Sequence, residues 1–142
     1  MPAPSALPIG LQLARAAKSV SRAFDDALSA AGGSLPSWLI LIALQNRELA
    51  SQRELADAIG IRGATLTHHL DAMEATGLVT RQRDPANRRV QRVALTRSGR
   101  AAFVRMRRAA LAFDQRLRKG LTAADLATCA QLLDRLRANV EG

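Results

Sequence analysis

Three turn signals inside one stretch limit the fold more than any other feature of the chain. Between Ser51 and Leu95, Gly60, Gly77 and the run Asp84-Pro85-Ala86-Asn87 cut the sequence into pieces too short for long helices. Ser51-Gln52-Arg53-Glu54 has the form of a capping box, so a short helix is expected there, with Leu55, Ala58 and Ile59 inward and Gly60 at its end. Ile61-Arg62 turns the chain into a second helix, on which Leu66, Leu70 and Met73 recur at i, i+4, i+7. Gly77 suits a left-handed cap for that helix. Two short helices joined by a Gly-containing turn make a helix-turn-helix. Leu78 to Arg83 and Arg88 to Leu95 then read as strands closed by the Pro/Asn turn. That hairpin is a wing, and it carries Arg81, Arg83, Arg88, Arg89 and Arg92.

Opposite its apolar face, the second helix presents Gly63, Ala64, Thr65, Thr67 and His68. Short or hydrogen-bonding side chains at the N-terminal end suit a helix lying in a DNA groove, where longer ones would hold the backbone away from base edges. The charge supports the same partner. Ten arginines and one acid, Asp84, lie between Arg81 and Phe113, a surplus of nine that equals the formal net charge of the whole chain, +9. Elsewhere 11 basic and 11 acidic residues cancel. A polyanion explains that placement, and no amphipathic Trp/Phe/Leu face accompanies it to suggest a membrane. Tyr is absent and aromatics make up 3% of the chain, which argues against single-strand binding by base stacking.

From about Leu35 to Arg100 the chain resembles the MarR (multiple antibiotic resistance regulator) family of winged-helix transcription factors. The resemblance is carried by Arg53-Glu54-Leu55-Ala56, Ala64-Thr65-Leu66-Thr67, Met73-Glu74-Ala75-Thr76-Gly77-Leu78-Val79, Asp84-Pro85-Ala86-Asn87-Arg88-Arg89 and Leu95-Thr96-Arg97-Ser98-Gly99. The family's usual wing reads Asp-x-x-Asp-Arg-Arg, so Asn87 is a departure, as is His69 where an apolar residue is usual. The resemblance implies a triangular homodimer. It also implies a small, often aromatic or anionic, effector between the winged lobe and the dimer helices. Here Phe24, Trp38, Ile42 and His69 would line that crevice, with Arg15 or Lys18 meeting an anion.

The flanks predict how two copies meet. Leu13, Ala17, Val20, Phe24, Ala27 and Ala31 form one stripe on a first helix from about Leu7 to Ala31. Gly32-Gly33 ends that helix, and Ser34 and Pro36 open a second around Trp38 to Leu44, apolar almost all round and so expected to be buried between lobes. After the wing, Thr96 caps a long helix to about Lys119 with a seam of Phe103, Met106, Ala110, Phe113 and Leu117. Thr122 to Asp125 starts the last, with Leu126, Cys129, Leu133, Leu136 and Val140. A lobe of about 60 residues cannot cover three such stripes, so they bury one another across a two-fold axis. The expected fold is mainly α with a small β-hairpin wing (α+β). Residues 1–34 are read as a disordered tail and first dimerisation helix, 35–95 as the winged helix-turn-helix lobe and 96–142 as further dimerisation helices, all in one integrated domain.

The expected function is a sequence-specific, homodimeric repressor on a palindromic operator in double-stranded DNA. Thr65, Thr67 and His68 are candidates for groove contacts, with Gly63 and Ala64 allowing close approach and Arg62 reaching a base or a phosphate. Ser51, Gln52 and Arg53 are candidates for phosphates, and Arg83, Arg88 and Arg89 for the wing's DNA contacts, with Arg88 or Arg89 in the minor groove. Asp84 is expected to brace Arg88, and Asn87 to hold the turn through its backbone. His69 stands between a structural role and ligand or pH sensing. Two rival regulators remain: a redox sensor through Cys129, against which stands an inert buried thiol, and a sequence-blind architectural DNA binder. No cofactor or metal is called for: His68 and His69 are adjacent and cannot share an ion, and no HExxH, CxxC or catalytic triad pattern occurs. Enzymatic activity is therefore not expected. One cysteine and no apolar run near the ~18 residues of a membrane span fit a cytoplasmic protein. The basic N-terminus faintly resembles a transit peptide, but the first-helix reading is preferred.

Overall fold

The structure is a computed structural model that describes residues 7–47 and 50–142; the expected N-terminal tail lies mostly outside the described residues. Six helices and three short strands follow in the order α1 (Ile9–Ala30), α2 (Leu35–Gln45), β1 (Ala50–Ser51), α3 (Gln52–Ile59), α4 (Gly63–Ala75), β2 (Val79–Arg83), β3 (Gln91–Leu95), α5 (Arg97–Leu117) and α6 (Ala123–Glu141). The chain divides into two compact units, up to Ala110 and from Leu111, so the boundary falls inside α5.

The first unit holds the core. Leu66, Leu70 and Met73 are buried on α4 as their spacing requires. They meet Leu28 of α1, Ile40, Leu41 and Leu44 of α2, Leu55 of α3, Val79 and Val93 of the sheet, and Met106 of α5 in one cluster. Each such side chain contributes about 1.5–3 kcal/mol of apolar transfer. Gly60 and Gly77 end α3 and α4 at positive φ, 78° and 79°, where other residues would be strained. Two expectations are corrected. On α3 the buried partner of Leu55 is Ala56, and Ala58 faces solvent, because a helix starting at Gln52 turns positions 55, 56 and 59 toward the core. On α2, capped by Ser34 and Ser37, Leu39 and Ile42 are exposed at 36% and 38%, so the helix is not buried all round.

The sheet has the order β1-β3-β2, antiparallel throughout. β1 was not foreseen: its two residues pair Ala50 with Val93 and Ser51 with Arg92, tying the start of α3 to the wing. Thr96 caps α5 as expected, its hydroxyl accepting from the Gly99 N–H at 3.0 Å. Gly99 lies so close to the wing base that a Cβ there would sit 2.1 Å from the Leu78 carbonyl oxygen.

In the second unit, Thr122 and Asp125 form a full capping box at the start of α6, with bonds of 3.0 and 2.9 Å. No residue of α6 is buried. Leu117, Leu121, Leu132, Leu133 and Val140 are exposed, as are Ile9, Leu11, Leu13 and Val20 on α1. Among the described residues, no single helix is long and apolar enough to cross a membrane.

Candidate nucleic-acid interface

The N-termini of α3 and α4 are cross-linked by hydroxyl and amide groups. Ser51 caps α3, its hydroxyl accepting from the Glu54 N–H at 3.1 Å. The return half of the expected box does not form, because the Glu54 carboxylate pairs with Arg47 at 2.9 Å. The Gln52 amide donates to the Thr67 hydroxyl at 3.2 Å, and that hydroxyl donates to the Gly63 carbonyl at 2.9 Å. Thr67 is thus half-buried and engaged, fixing the angle between the two helices.

The wing tip completes a cleft of about 790 Å³ against these helix starts. Ser51, Gln52 and Arg53 line it from α3, Arg62, Gly63 and Thr67 from α4, and Asn87, Arg89, Val90 and Gln91 from the wing. Three cations, Arg53, Arg62 and Arg89, face one acid there, Asp57. None of the three makes an ion pair among the described residues. Ala64, Thr65 and His68 lie outside the cleft on the exposed face of α4, and Arg83 and Arg88 are exposed on the wing.

Two acid–arginine clusters hold the wing. Asp84 does not brace Arg88. Its Oδ2 accepts from Nε and Nη2 of Arg92 at 2.9 and 2.8 Å, and its Oδ1 from the Ala86 N–H at 2.8 Å. The register explains the correction. Arg83 pairs with Gln91, which puts Asp84 beside Val90 and makes Arg92 its diagonal neighbour on the same face, while Arg88 lies out in the turn. β3 begins at Gln91, so Arg88 and Arg89 belong to the turn and not to a strand. Asn87 does hold that turn, its side-chain oxygen accepting from the Arg89 N–H at 3.2 Å. The Ala86 N–H first, and Arg92 second, hold the Asp84 carboxyl below the usual range.

The second cluster was hidden in the sequence. Arg81, counted there with the wing's cationic surface, turns inward, its side chain 15% exposed. Its Nη2 pairs with Asp71 at 2.5 Å and Glu74 at 3.0 Å on α4, and its N–H donates to Glu74 at 3.1 Å. The hydrogen bond from Arg81 is the main cause holding the Glu74 carboxyl below its ordinary value, and the same pair raises the Arg81 guanidinium. The signal available beforehand was the acid pair Asp71 and Glu74 at i, i+3, ten and seven residues before Arg81. Val90 and Gln91 in the cleft had no such signal.

The expected effector residues are distributed differently. Trp38 is 9% exposed and stacks on Phe103, centroids 5.4 Å apart and planes at 19°. Phe24 packs against the core. Ile42 lines a hollow of about 400 Å³ between α2 and α3 that does not include Phe24, Trp38 or His69. Arg15 is exposed on α1, and His69 is half-buried beside His68, ring centroids 5.6 Å apart. Cys129, expected to be buried, is exposed on α6 in the protomer, because nothing within the second unit covers that seam. Among the described residues no group of three or more His, Cys, Asp or Glu is placed to hold a metal ion.

Comparison with known proteins places the chain among regulators. A family model described as the MarR family matches residues 34–90. The solved transcriptional regulator PA3341 is 32% identical with a TM-score of 0.73, the match covering 94% of this chain and 98% of that one. The transcriptional repressor CouR, solved bound to a 23-mer DNA duplex, is 27% identical with a TM-score of 0.81 over 92% of each chain. The HTH-type transcriptional regulator YdgJ of Bacillus subtilis (strain 168) is 28% identical over 101 residues, 71% of this chain. That match spans 62% of YdgJ, less than two thirds of its length.

Proposed function

Since this chain belongs to the MarR family, whose members are transcriptional regulators and not enzymes, we propose that it is a repressor that binds a palindromic operator in duplex DNA as a homodimer. The observation that carries the reading is the cleft in which two helix N-termini and the wing tip gather three arginines, without ion pairs among the described residues, against one acid. Helix N-termini and guanidiniums both favour phosphate oxygens. Thr65 and His68, with Ala64 allowing close approach, read base edges in the major groove, while Ser51, Gln52 and Arg53 hold the backbone. Arg89, with Arg88 beside it, enters the minor groove. Thr67 is reassigned from a base contact to a positioning role, because its hydroxyl proton is already given to Gly63.

Dimerisation is supported by the exposed apolar residues of α1 and α6, which a lone protomer leaves in water. A two-fold axis would set two α4 helices about 34 Å apart, one turn of duplex. A small aromatic or anionic effector would act by altering that spacing. The family and the fold suit the cytoplasm. The test is a footprint of the pure protein on the DNA upstream of its own gene, with random duplex as competitor. A protected palindrome and concentration-independent dimers are expected. A monomer, or no protection at low ionic strength, would overturn the proposal. Equal affinity for random duplex would favour the architectural reading. Loss of the footprint with peroxide, abolished by Cys129→Ser, would favour the redox one.

A further inference from the structure

The wing holds only half of the clustered arginines. Five of the ten clustered arginines, Arg97, Arg100, Arg105, Arg107 and Arg108, lie on the first turns of α5 and not on the wing. At about 100° per residue they fall within an arc of about 160°. Opposite that arc lie Gly99, Ala102 and Met106, the buried face of the helix. All five are exposed and none makes an ion pair among the described residues. Arg100 even shares a notch of about 200 Å³ with another cation, Arg47.

The placement is electrostatically unfavourable for an isolated helix. The first turn of α5 holds no acid, so Arg97 sits at the positive end of the helix dipole and Arg100 just beyond it. Arg97 with Arg100, and Arg105 with Arg108, are like charges at i, i+3. A stripe arranged against both effects suits a polyanion that cancels them. It is also too far from the wing tip to share its phosphates. The strand pair runs from Arg83↔Gln91 near the tip to Val79↔Leu95 at the base, about 13 Å at 3.3 Å per residue, and α5 begins beyond the base.

We infer that this arginine stripe binds the phosphate backbone of DNA flanking the operator, drawing the duplex past the wing and along the first three turns of α5. The inference rests on the DNA-binding reading above. Flanking DNA is the occupant the charge favours: phosphates repeat along the duplex at spacings a row of guanidiniums can follow, and flank already tethered by the cleft arrives at high effective concentration. An acidic protein segment is the alternative occupant.

The test compares a duplex covering only the footprint with one extended by about 15 base pairs on each side. It uses wild type and the variant Arg97→Gln/Arg100→Gln/Arg107→Gln/Arg108→Gln. Wild type is expected to bind the long duplex at least tenfold more tightly, with a steeper salt dependence by two units or more, at roughly 0.9 per phosphate engaged. The variant should bind the short duplex as wild type does and lose the gain from the flanks. It should melt no lower than wild type, since like charges have been removed. Equal affinity of wild type for both lengths would overturn the inference and leave an acidic protein segment as the occupant. So would a variant that weakens equally on both lengths, which would assign the stripe to the primary contact. Failure of wild type on every duplex would instead sink the DNA-binding reading itself, and this inference with it.

Discussion

Gly99→Ala is the substitution whose effect follows most directly from the structure. A Cβ at this position would lie 2.1 Å from the Leu78 carbonyl oxygen, 3.1 Å from its carbon and 3.1 Å from a methyl of Leu95. The obstacle is backbone, and the same oxygen accepts the Thr96 N–H at 3.1 Å, so it cannot swing aside without breaking a bond at the joint between wing and α5. Ala would bring a helix-propensity gain of about 1 kcal/mol. Forcing apart a close contact typically costs about 1–3 kcal/mol, and a backbone obstacle belongs at or beyond the upper end. We expect a net loss of about 2 kcal/mol, which for a chain of this size lowers Tm by roughly 6–10 °C. Two further glycines serve as controls in the same calorimetric or circular-dichroism melt. Gly33→Ala meets Met106 Cε and Sδ at 2.2 and 2.5 Å, a flexible thioether that can move, so its loss should be smaller. Gly10→Ala meets nothing within 4 Å on exposed α1 and should be neutral or slightly stabilising. A Gly99→Ala protein as stable as Gly10→Ala would refute the reasoning from close approach. A Gly33→Ala protein as unstable as Gly99→Ala would refute the distinction between backbone and side-chain obstacles.

Arg89→Ala should reduce the salt slope of operator binding by about 1.8, roughly 0.9 for each protomer, whereas Arg88→Ala, outside the cleft, should reduce it less; filter binding or fluorescence anisotropy at four salt concentrations separates them. Arg81→Gln should leave overall stability within about 1 kcal/mol, because its partners are largely exposed, yet loosen the wing, seen as faster amide exchange in β2 and β3 than in Arg83→Gln. Acid should act through the same clusters: Asp84 and Glu74 are held below their ordinary values, so the order they confer is complete above the usual carboxylate range near pH 4 and is lost as pH falls through the lowered values. Asp84→Asn should remove its share of that dependence, and wing resonances of wild type unchanged down to pH 2 would contradict both assignments.

What was legible in the sequence were features that repeat or terminate. Leu66, Leu70 and Met73 named the buried face of α4 because helical period alone decides it. Gly32, Gly60 and Gly77 marked ends because positive φ is read from residue type. Seven of the twelve candidate DNA contacts share one cleft, since they sit at helix starts and a turn, whose positions the same signals give. What stayed hidden was pairing at a distance. Nothing local says that Ala50 and Ser51 complete a sheet, or that Asp84 faces Arg92, since both depend on strand register. The inward turn of Arg81 depends on where α4 packs, and composition cannot distinguish it from Arg83, which stays outside. On α1, Leu28, the fully buried side chain, fell outside the stripe named for that helix, while Phe24 and Ala31 of the stripe pack against the core.

The bond between Arg81 and the rear of α4 changes how a mutational map of this protein would look. Asp71 and Glu74 line no part of the cleft, yet the hairpin's footing depends on them. A screen for lost operator occupancy should therefore return acidic positions that repel DNA by charge, and neutralising them would weaken its grip.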